Sequence, residues 1–455
     1  MIITIEKLIF EGYGLGHVDG KAIFVRKSVP GDELEVETVN IKKNYDEAII
    51  RKIIKPSTKR ITPRCPYFDI CGGCDHQNIS YTDQLKFKDQ IIDEMIEQNQ
   101  IETGERLPII PGSDSEYFYR NSIRFEFVTR LVDPHTATYE VAAPVSIQIA
   151  RHNYLDPAKP VITDFCLLQS EFSNELCQSI LDLYNNYGVP DNRKLLVDNH
   201  LWQIKIREGK QTGEFMLEMI TKSSTLPMER GLKDLVKAFP EIKSFYHTIA
   251  PDKNIYKLKR RLLAGKPVIY EKIGKYTFQI SPESFFQTNS LGVQTLYDQI
   301  KNFADIQMGD RVVDLFCGTG SIAIYLSTLA KSVIGVEIVP EAIRDAKDNA
   351  KINKISNVEF HCFDVSKLNN ETMWQYSNAI LVLDPPRAGL KPELIKKICK
   401  CDPKRIVYVS CNPATFFRDI KVFNKYGLGL TKLQPIDMFP QTHHIELVGL
   451  LATTR

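Results

Sequence analysis

The chain has 455 residues, with 58 Lys+Arg against 56 Asp+Glu and 43% hydrophobic side chains, a balance that suits two to four globular domains with sizeable cores. This excludes a wholly disordered, collagen-like or membrane-embedded chain. No run approaches the roughly 18 apolar residues of a membrane span, and Glu6 and Lys7 interrupt the N-terminus too early for a signal peptide. A cytoplasmic monomer with neither membrane nor DNA as partner is expected. The net charge of +2 conceals local segregation. Residues 41–64 hold 8 basic and 2 acidic side chains, a sum of +6, and residues 251–275 hold the same. Such stretches are either solvated faces or a surface for a polyanion backbone.

Residues 1–57 read as a small β unit. The segments KAIFVRK, ELEVETVNI and DEAIIRKII are rich in β-branched residues and separated by turns such as Pro30-Gly31-Asp32. About five short strands bury their edges most simply as a barrel. A cysteine-rich loop follows, then a helix predicted over Tyr81–Asn99. Residues 58–275 mix strand and helix patterns, an α+β region. From 276 to 455 the apolar runs RVVDLF, SVIGVEIV, NVEFHCFD, AILVLDPP and RIVYVSCNP alternate with helical stretches, the pattern of a parallel sheet covered on both faces.

The first of these strands ends in Asp314-Leu-Phe-Cys-Gly318-Thr-Gly320 and opens a helix. Glycines allow the tight turn and let a ligand reach the backbone beside a helix N-terminus. Glu337 closes the next strand, 17 residues after Gly320, where a carboxylate accepts hydrogen bonds from ribose hydroxyls. Gly318-Thr-Gly320-Ser-Ile-Ala323 satisfies the dinucleotide fingerprint as written. The acid Asp314, four residues before Gly318, and Asp364 at the end of a third strand favour S-adenosylmethionine over NAD, as in the D-x-x-x-G-x-G pattern of class I methyltransferases.

Asp384-Pro-Pro-Arg387 ends a fourth strand and Ser410-Cys411-Asn412-Pro413 a fifth. Ligands of open α/β sheets sit beyond these carboxyl ends, so both motifs share the rim with the Gly-rich turn. A cysteine there, beside a methyl donor, points to covalent catalysis, provided the site favours its thiolate; its bland alternative is a small buried hydrophobe. In His443-His444-Ile-Glu446, a Glu entering a buried cleft would have its pKa raised and serve as a proton acceptor. Asp384-Pro-Pro is also similar to the Asn-Pro-Pro-Tyr of amino-group methyltransferases, but Asp, Arg and the separate cysteine favour methylation at carbon.

Cys65-Pro-Tyr-Phe-Asp-Ile-Cys71-Gly-Gly-Cys74 places three of the ten cysteines within ten residues. A chain without a signal peptide is not expected to build a disulfide framework. Thiolates suit zinc or an iron–sulfur cluster, and the lack of a second C-x₂-C pair favours [4Fe–4S] with one distant ligand. Cys166 leads as that ligand, with Cys177 in reserve. Cys317, Cys362, Cys399 and Cys401 are read as structural or incidental.

Taken together, these motifs resemble the RNA m5U methyltransferases over nearly the whole chain. The resemblance implies an α/β class I (Rossmann-like) methyltransferase domain, an N-terminal OB-fold-like barrel of the TRAM type that contacts RNA, and an α+β central domain. Cys65, Cys71, Cys74 and Cys166 resemble the cluster ligands of the 23S ribosomal-RNA branch, and Tyr119-Arg120-Asn121 matches the family's Y-R-N segment. Gln287 in Ser-Phe-Phe-Gln-Thr-Asn matches a cofactor contact, as do Phe316, Glu337 and Asp364; Asp314, Gly318, Gly320 and Asp384 complete the cofactor set. Asp384 matches the acid that helps hold uracil, Cys411 the nucleophile and Glu446 the proton acceptor. Residues 131–150 fall where the family varies.

The implied reaction is methyl transfer from S-adenosylmethionine to C5 of a uridine in 23S ribosomal RNA, or alternatively in tRNA. The thiolate of Cys411 adds to C6 of a flipped base, which Phe286 stacks against. Two other classes compete: an idle RNA-binding protein, and an iron–sulfur redox sensor that modulates RNA binding.

Overall fold

The computed structural model describes residues 1–131, 145–156, 158–187, 193–254, 258–368 and 376–453. Part of the family-variable stretch 131–150 and of the basic stretch 251–275 therefore lies outside the described residues.

Strands β1 (Ile2–Thr4) and β2 (Lys7–Leu8) are two halves of one bent segment. With β3 (Tyr13–Val18), β4 (Lys21–Arg26), β5 (Glu33–Ile41) and β6 (Tyr45–Lys55) they form a sheet in the order β1-β5-β6-β4-β3-β2. Because β1 pairs the start of β5 while β2 pairs β3, the bend closes the sheet on itself. Alternate residues Ile3, Ile23, Val25, Leu34, Val36 and Ala48 fill its interior. Gly16 is required where the bend crosses β3, since a Cβ there would stand 2.4 Å from the Thr4 carbonyl oxygen.

Helix α1 (Tyr81–Asn99) occupies the range read from sequence and is capped by Ser80, whose hydroxyl accepts from the Asp83 N–H. After it, β7 (Glu105–Arg106) and β8 (Ile110–Pro111) join the edge of the C-terminal sheet. The central sheet contains β9 (Ser122–Leu131), β10 (Val145–Arg151), β11 (Val161–Ile162), β12 (Leu201–Gly209), β13 (Glu214–Thr221), β14 (Ile242–Ile249) and β15 (Lys259–Gly265) in the order β11-β10-β9-β12-β13-β14-β15. A hairpin, β16 (Ile269–Ile273) and β17 (Tyr276–Ile280), packs into the same apolar core as helix α2 (Ser290–Ala304).

The C-terminal sheet runs β18 (Arg311–Leu315), β19 (Ser332–Glu337), β20 (Val358–Cys362), β21 (Ile380–Leu383), β22 (Arg405–Ser410), β23 (Leu428–Asp437) and β24 (Glu446–Thr453). Its order, β20-β19-β18-β21-β22-β24-β23, is parallel except for β24. Apolar layers cover both faces, which explains why its strands read as continuous hydrophobic runs. The strand order reverses at β18 and β21, and the carboxyl ends there form the crevice in which ligands of such sheets bind. Among the described residues, no helix is long and apolar enough to cross a membrane.

Candidate active site

The turn after β18 is shaped by three left-handed residues, Phe316, Gly318 and Gly320. A Cβ on Gly320 would meet Phe360 at 2.5 Å, whereas one on Gly318 would meet nothing within 4 Å. Space therefore lies over Gly318. Glu337 braces the turn: its Oε2 accepts from the Gly318 N–H at 3.2 Å, and its Oε1 accepts from the Ile338 and Val339 N–H groups. Asp314 is fully buried. One of its oxygens accepts from the Ala323 N–H at 3.1 Å, and the other has no partner. Burial, with the charges of Asp384 and Glu337 adding, pushes its carboxyl up to about 8.

This cradle fits a cationic, ribose-bearing cofactor. An orphaned buried carboxylate oxygen calls for a donor, and three neighbouring acids suit an ammonium or sulfonium group and oppose a pyrophosphate. At the end of β20, Asp364 accepts from the Ser366 N–H and hydroxyl, which holds its carboxyl below the usual range. Across the crevice, Gln287 is positioned through its backbone: its carbonyl accepts from Asn121 Nδ2 at 2.7 Å, and the Asn121 N–H donates to Thr288. Tyr119-Arg120-Asn121 thus joins the central sheet to the loop bearing Gln287. In that loop Phe285 is 68% exposed, while Phe286 is 6% exposed and packs against Phe278. The stacking expectation placed on Phe286 is corrected accordingly: its ring belongs to the core, and the neighbouring Phe285 projects outward.

The Ser410–Pro413 motif makes the corner between β22 and helix α3 (Pro413–Asn424). Asn412 caps the helix by accepting from the Ala414 and Thr415 N–H groups, and Pro413 takes the first helical position. Cys411 is held between strand end and cap, half-buried. The Asp384–Leu390 loop folds beside it: the Arg387 carbonyl accepts from Asn412 Nδ2 at 3.3 Å and Thr415 Oγ1 at 3.2 Å, and Asp419 accepts from the Leu390 N–H.

Cys411, Asp384, Arg387 and Glu446 interact as one charged group. Burial pushes the Cys411 thiol up to about 11, with Glu446 and Asp384 adding and the Arg387 guanidinium opposing. Desolvation is the largest of these effects, and the Arg387 guanidinium is the group that favours the thiolate. Burial also raises Asp384 to about 6 and holds Glu446, 4% exposed, well above the carboxylate range. Arg387, His444 and His443 were not assigned roles from sequence; only the position of Arg387 after Asp384-Pro-Pro hinted at one. Arg387 Nη2 donates to His444 Nε2 at 3.4 Å, consistent with a neutral His444, whose pKa burial and its cationic neighbours lower to about 3.

Cys65, Cys71, Cys74 and Cys166 line one small cavity together with Phe68 and Leu168. Cys177 is buried in the central core instead. Among the described residues, no three His, Cys, Asp or Glu side chains gather closely enough to hold a single metal ion. Burial, with the charges of the neighbouring cysteines, raises the Cys74 thiol to about 12. Lys27 reaches this loop from the barrel, buried and donating to the Phe68 and Cys71 carbonyls.

A nucleotide crevice with a cysteine and a carboxylate on its rim defines a class I methyltransferase that works on carbon. The family described as tRNA (Uracil-5-)-methyltransferase matches residues 256–454. An RNA methyltransferase of Halalkalibacterium halodurans is 35% identical, over 99% of this chain and 96% of its own. One of Oceanobacillus iheyensis is 34% identical, over 99% and 95%. The structure of the Pyrococcus abyssi tRNA (uracil-54, C5)-methyltransferase with S-adenosyl-L-homocysteine aligns with a TM-score of 0.76 at 27% identity, covering 99% of this chain and 100% of that one. The chain belongs to the RNA m5U methyltransferase family and is an S-adenosylmethionine-dependent RNA methyltransferase.

Proposed function

We propose that the protein methylates C5 of a uridine in 23S ribosomal RNA through a covalent Cys411–C6 adduct, in the cytoplasm. The meeting of Cys411, Glu446, Asp384 and Arg387 beside the acidic cradle carries this reading. In it Gln287, Phe316, Glu337, Asp364, Asp384, Asp314, Gly318 and Gly320 hold S-adenosylmethionine, which supplies the methyl group. The division into 1–57, 58–275 and 276–455 gives the barrel the RNA backbone, the central region the cluster and the last part the chemistry.

C5 of uracil is a poor nucleophile. Addition of the Cys411 thiolate at C6 moves electron density to C5 and the O4 carbonyl. Arg387 offsets the thiolate's charge before attack, and Asp384, held to about 6, donates to or accepts from the pyrimidine edge according to its protonation. Exposed Phe285 offers a face for the flipped base. After methylation Glu446 removes the C5 proton, and the C6–sulfur bond breaks to free Cys411. A carboxylate in a dry pocket, with its pKa raised, is suited to take that proton.

The four cysteines around one cavity suit a [4Fe–4S] cluster by their chemistry: all four donors are thiols. Bound there, the cluster supplies a covalent knot that fixes the Cys65–Cys74 loop. The resemblance of this cysteine pattern to the ribosomal-RNA branch favours the ribosomal target, although some members with such cysteines act on tRNA. A tRNA target is the second reading, favoured by what the Pyrococcus protein acts on. Mapping 5-methyluridine in both RNA classes from cells with and without the protein tests the choice. Loss from 23S RNA supports the first reading, and loss from tRNA alone replaces it with the second.

A further inference from the structure

We propose that Asp75 is a positioning residue that ties the catalytic segment to the cysteine loop. This rests on the reading of Cys411 and Glu446 above. Asp75 directly follows Cys74, yet its hydrogen bonds go to a segment more than 360 residues away. Its N–H donates to the Gln441 carbonyl at 2.8 Å, and the His76 N–H donates to the same oxygen at 3.1 Å. One Asp75 carboxylate oxygen accepts from the His443 N–H at 3.2 Å and from its ring Nδ1–H at 2.7 Å. The other faces Arg26 of the barrel at 3.7 Å. Gln84 adds a reciprocal amide pair to Gln441, at 3.0 Å in each direction.

From His443 the contacts run on to the reacting atoms. The His443 and His444 rings are 4.2 Å apart between centres, His444 Nε2 accepts from Arg387, and Arg387 faces the Cys411 thiol. Two residues beyond His444, Glu446 begins β24. A shift of the Gln441–His444 segment therefore moves both the cation beside the nucleophile and the proton acceptor. The loop that carries Cys74, Asp75 and His76 is thus the point from which that segment is hung. Its role toward the reaction is placement.

The test uses full-length wild type, Asp75→Ala, Asp75→Asn, His443→Ala and the Asp75→Ala/His443→Ala double variant. Each is assayed for iron and visible absorbance, for KM and kcat on a 23S RNA transcript, and for the fraction of RNA held in a denaturant-resistant adduct. Asp75→Ala is expected to keep its iron and KM while kcat falls on the order of 10²-fold. Asp75→Asn, which still accepts from His443, is expected to recover most of the loss. His443→Ala should lose as much, and the double variant little more. Unchanged kcat in Asp75→Ala, losses that multiply in the double variant, or a loss matched by missing iron would overturn the proposal. Should Asp75→Ala not fold, Asp75→Asn and His443→Ala decide it: equal kcat loss in both overturns it, and loss in His443→Ala alone supports it. A wild type that methylates neither ribosomal RNA nor tRNA at uridine C5 would overturn the functional reading instead.

Discussion

The Lys88 ammonium meets the Asp437 carboxylate at 2.8 Å, with 1% and 0% of the two side chains exposed. Lys88 lies on α1 and Asp437 ends β23, so this pair anchors the start of the segment that runs through His443 to Glu446. Lys88 Nζ also lies 3.5 Å from the Phe439 carbonyl, while the Phe439 N–H donates to Asp437.

Removing one partner leaves a buried charge. Lys88→Met is expected to lower stability by about 3–5 kcal/mol, whereas the double change Lys88→Met/Asp437→Leu should regain most of it. Urea denaturation of the three proteins measures this.

The thiol of Cys411 stands at about 11 in this form, and only its thiolate attacks. The rate of adduct formation at subsaturating RNA is thus expected to rise with pH above neutrality, as the thiolate fraction rises. Arg387→Ala removes the opposing cation and should slow the reaction across that whole range. Rapid-quench adduct measurements against pH check both statements.

Asp314 at about 8 is largely protonated at pH 7, and a cationic cofactor favours its carboxylate. S-adenosylmethionine affinity is therefore expected to rise with pH up to about 8, with proton release on binding at lower pH. Asp314→Asn should bind roughly 10–100-fold more weakly, the equivalent of one lost charge-assisted hydrogen bond of about 1.5–3 kcal/mol. Calorimetry in buffers of different ionisation enthalpy reads both.

Four cysteines share the cavity and Cys177 does not. Serine at Cys65, Cys71, Cys74 or Cys166 is expected to lower iron and acid-labile sulfide severalfold in anaerobically purified protein, while Cys177→Ser retains them. Retention of iron in all of these variants would remove the cluster from the account.

Much of the catalytic rim was legible because strand ends announce themselves: an acid or Ser-Cys-Asn-Pro after an apolar run falls at the carboxyl edge of a parallel sheet. What periodicity did not decide was which of two adjacent phenylalanines faces outward, because Phe285 and Phe286 lie in a loop where the strand alternation has ended. The link from Asp75 to His443 is invisible in one dimension, since it depends on a loop and a strand end meeting across the fold. The thiol state of Cys411 also needed the structure: its motif marks a nucleophile, but the burial and carboxylates that raise its pKa come from Asp384 and Glu446 on other strands. The Arg387–His444 contact joins the loop after β21 to the segment before β24, two stretches that no periodicity relates.

Cys411 and Glu446 are expected to act in sequence on one uridine. Glu446→Gln, incubated with S-adenosylmethionine and the RNA that wild type methylates, tests it most directly, with nuclease and protease digestion followed by mass spectrometry. The expected product is a peptide containing Cys411 bonded to a methylated uridine, with the adduct accumulating while turnover stops. Turnover at the wild-type rate with no Cys411-linked nucleotide would contradict it.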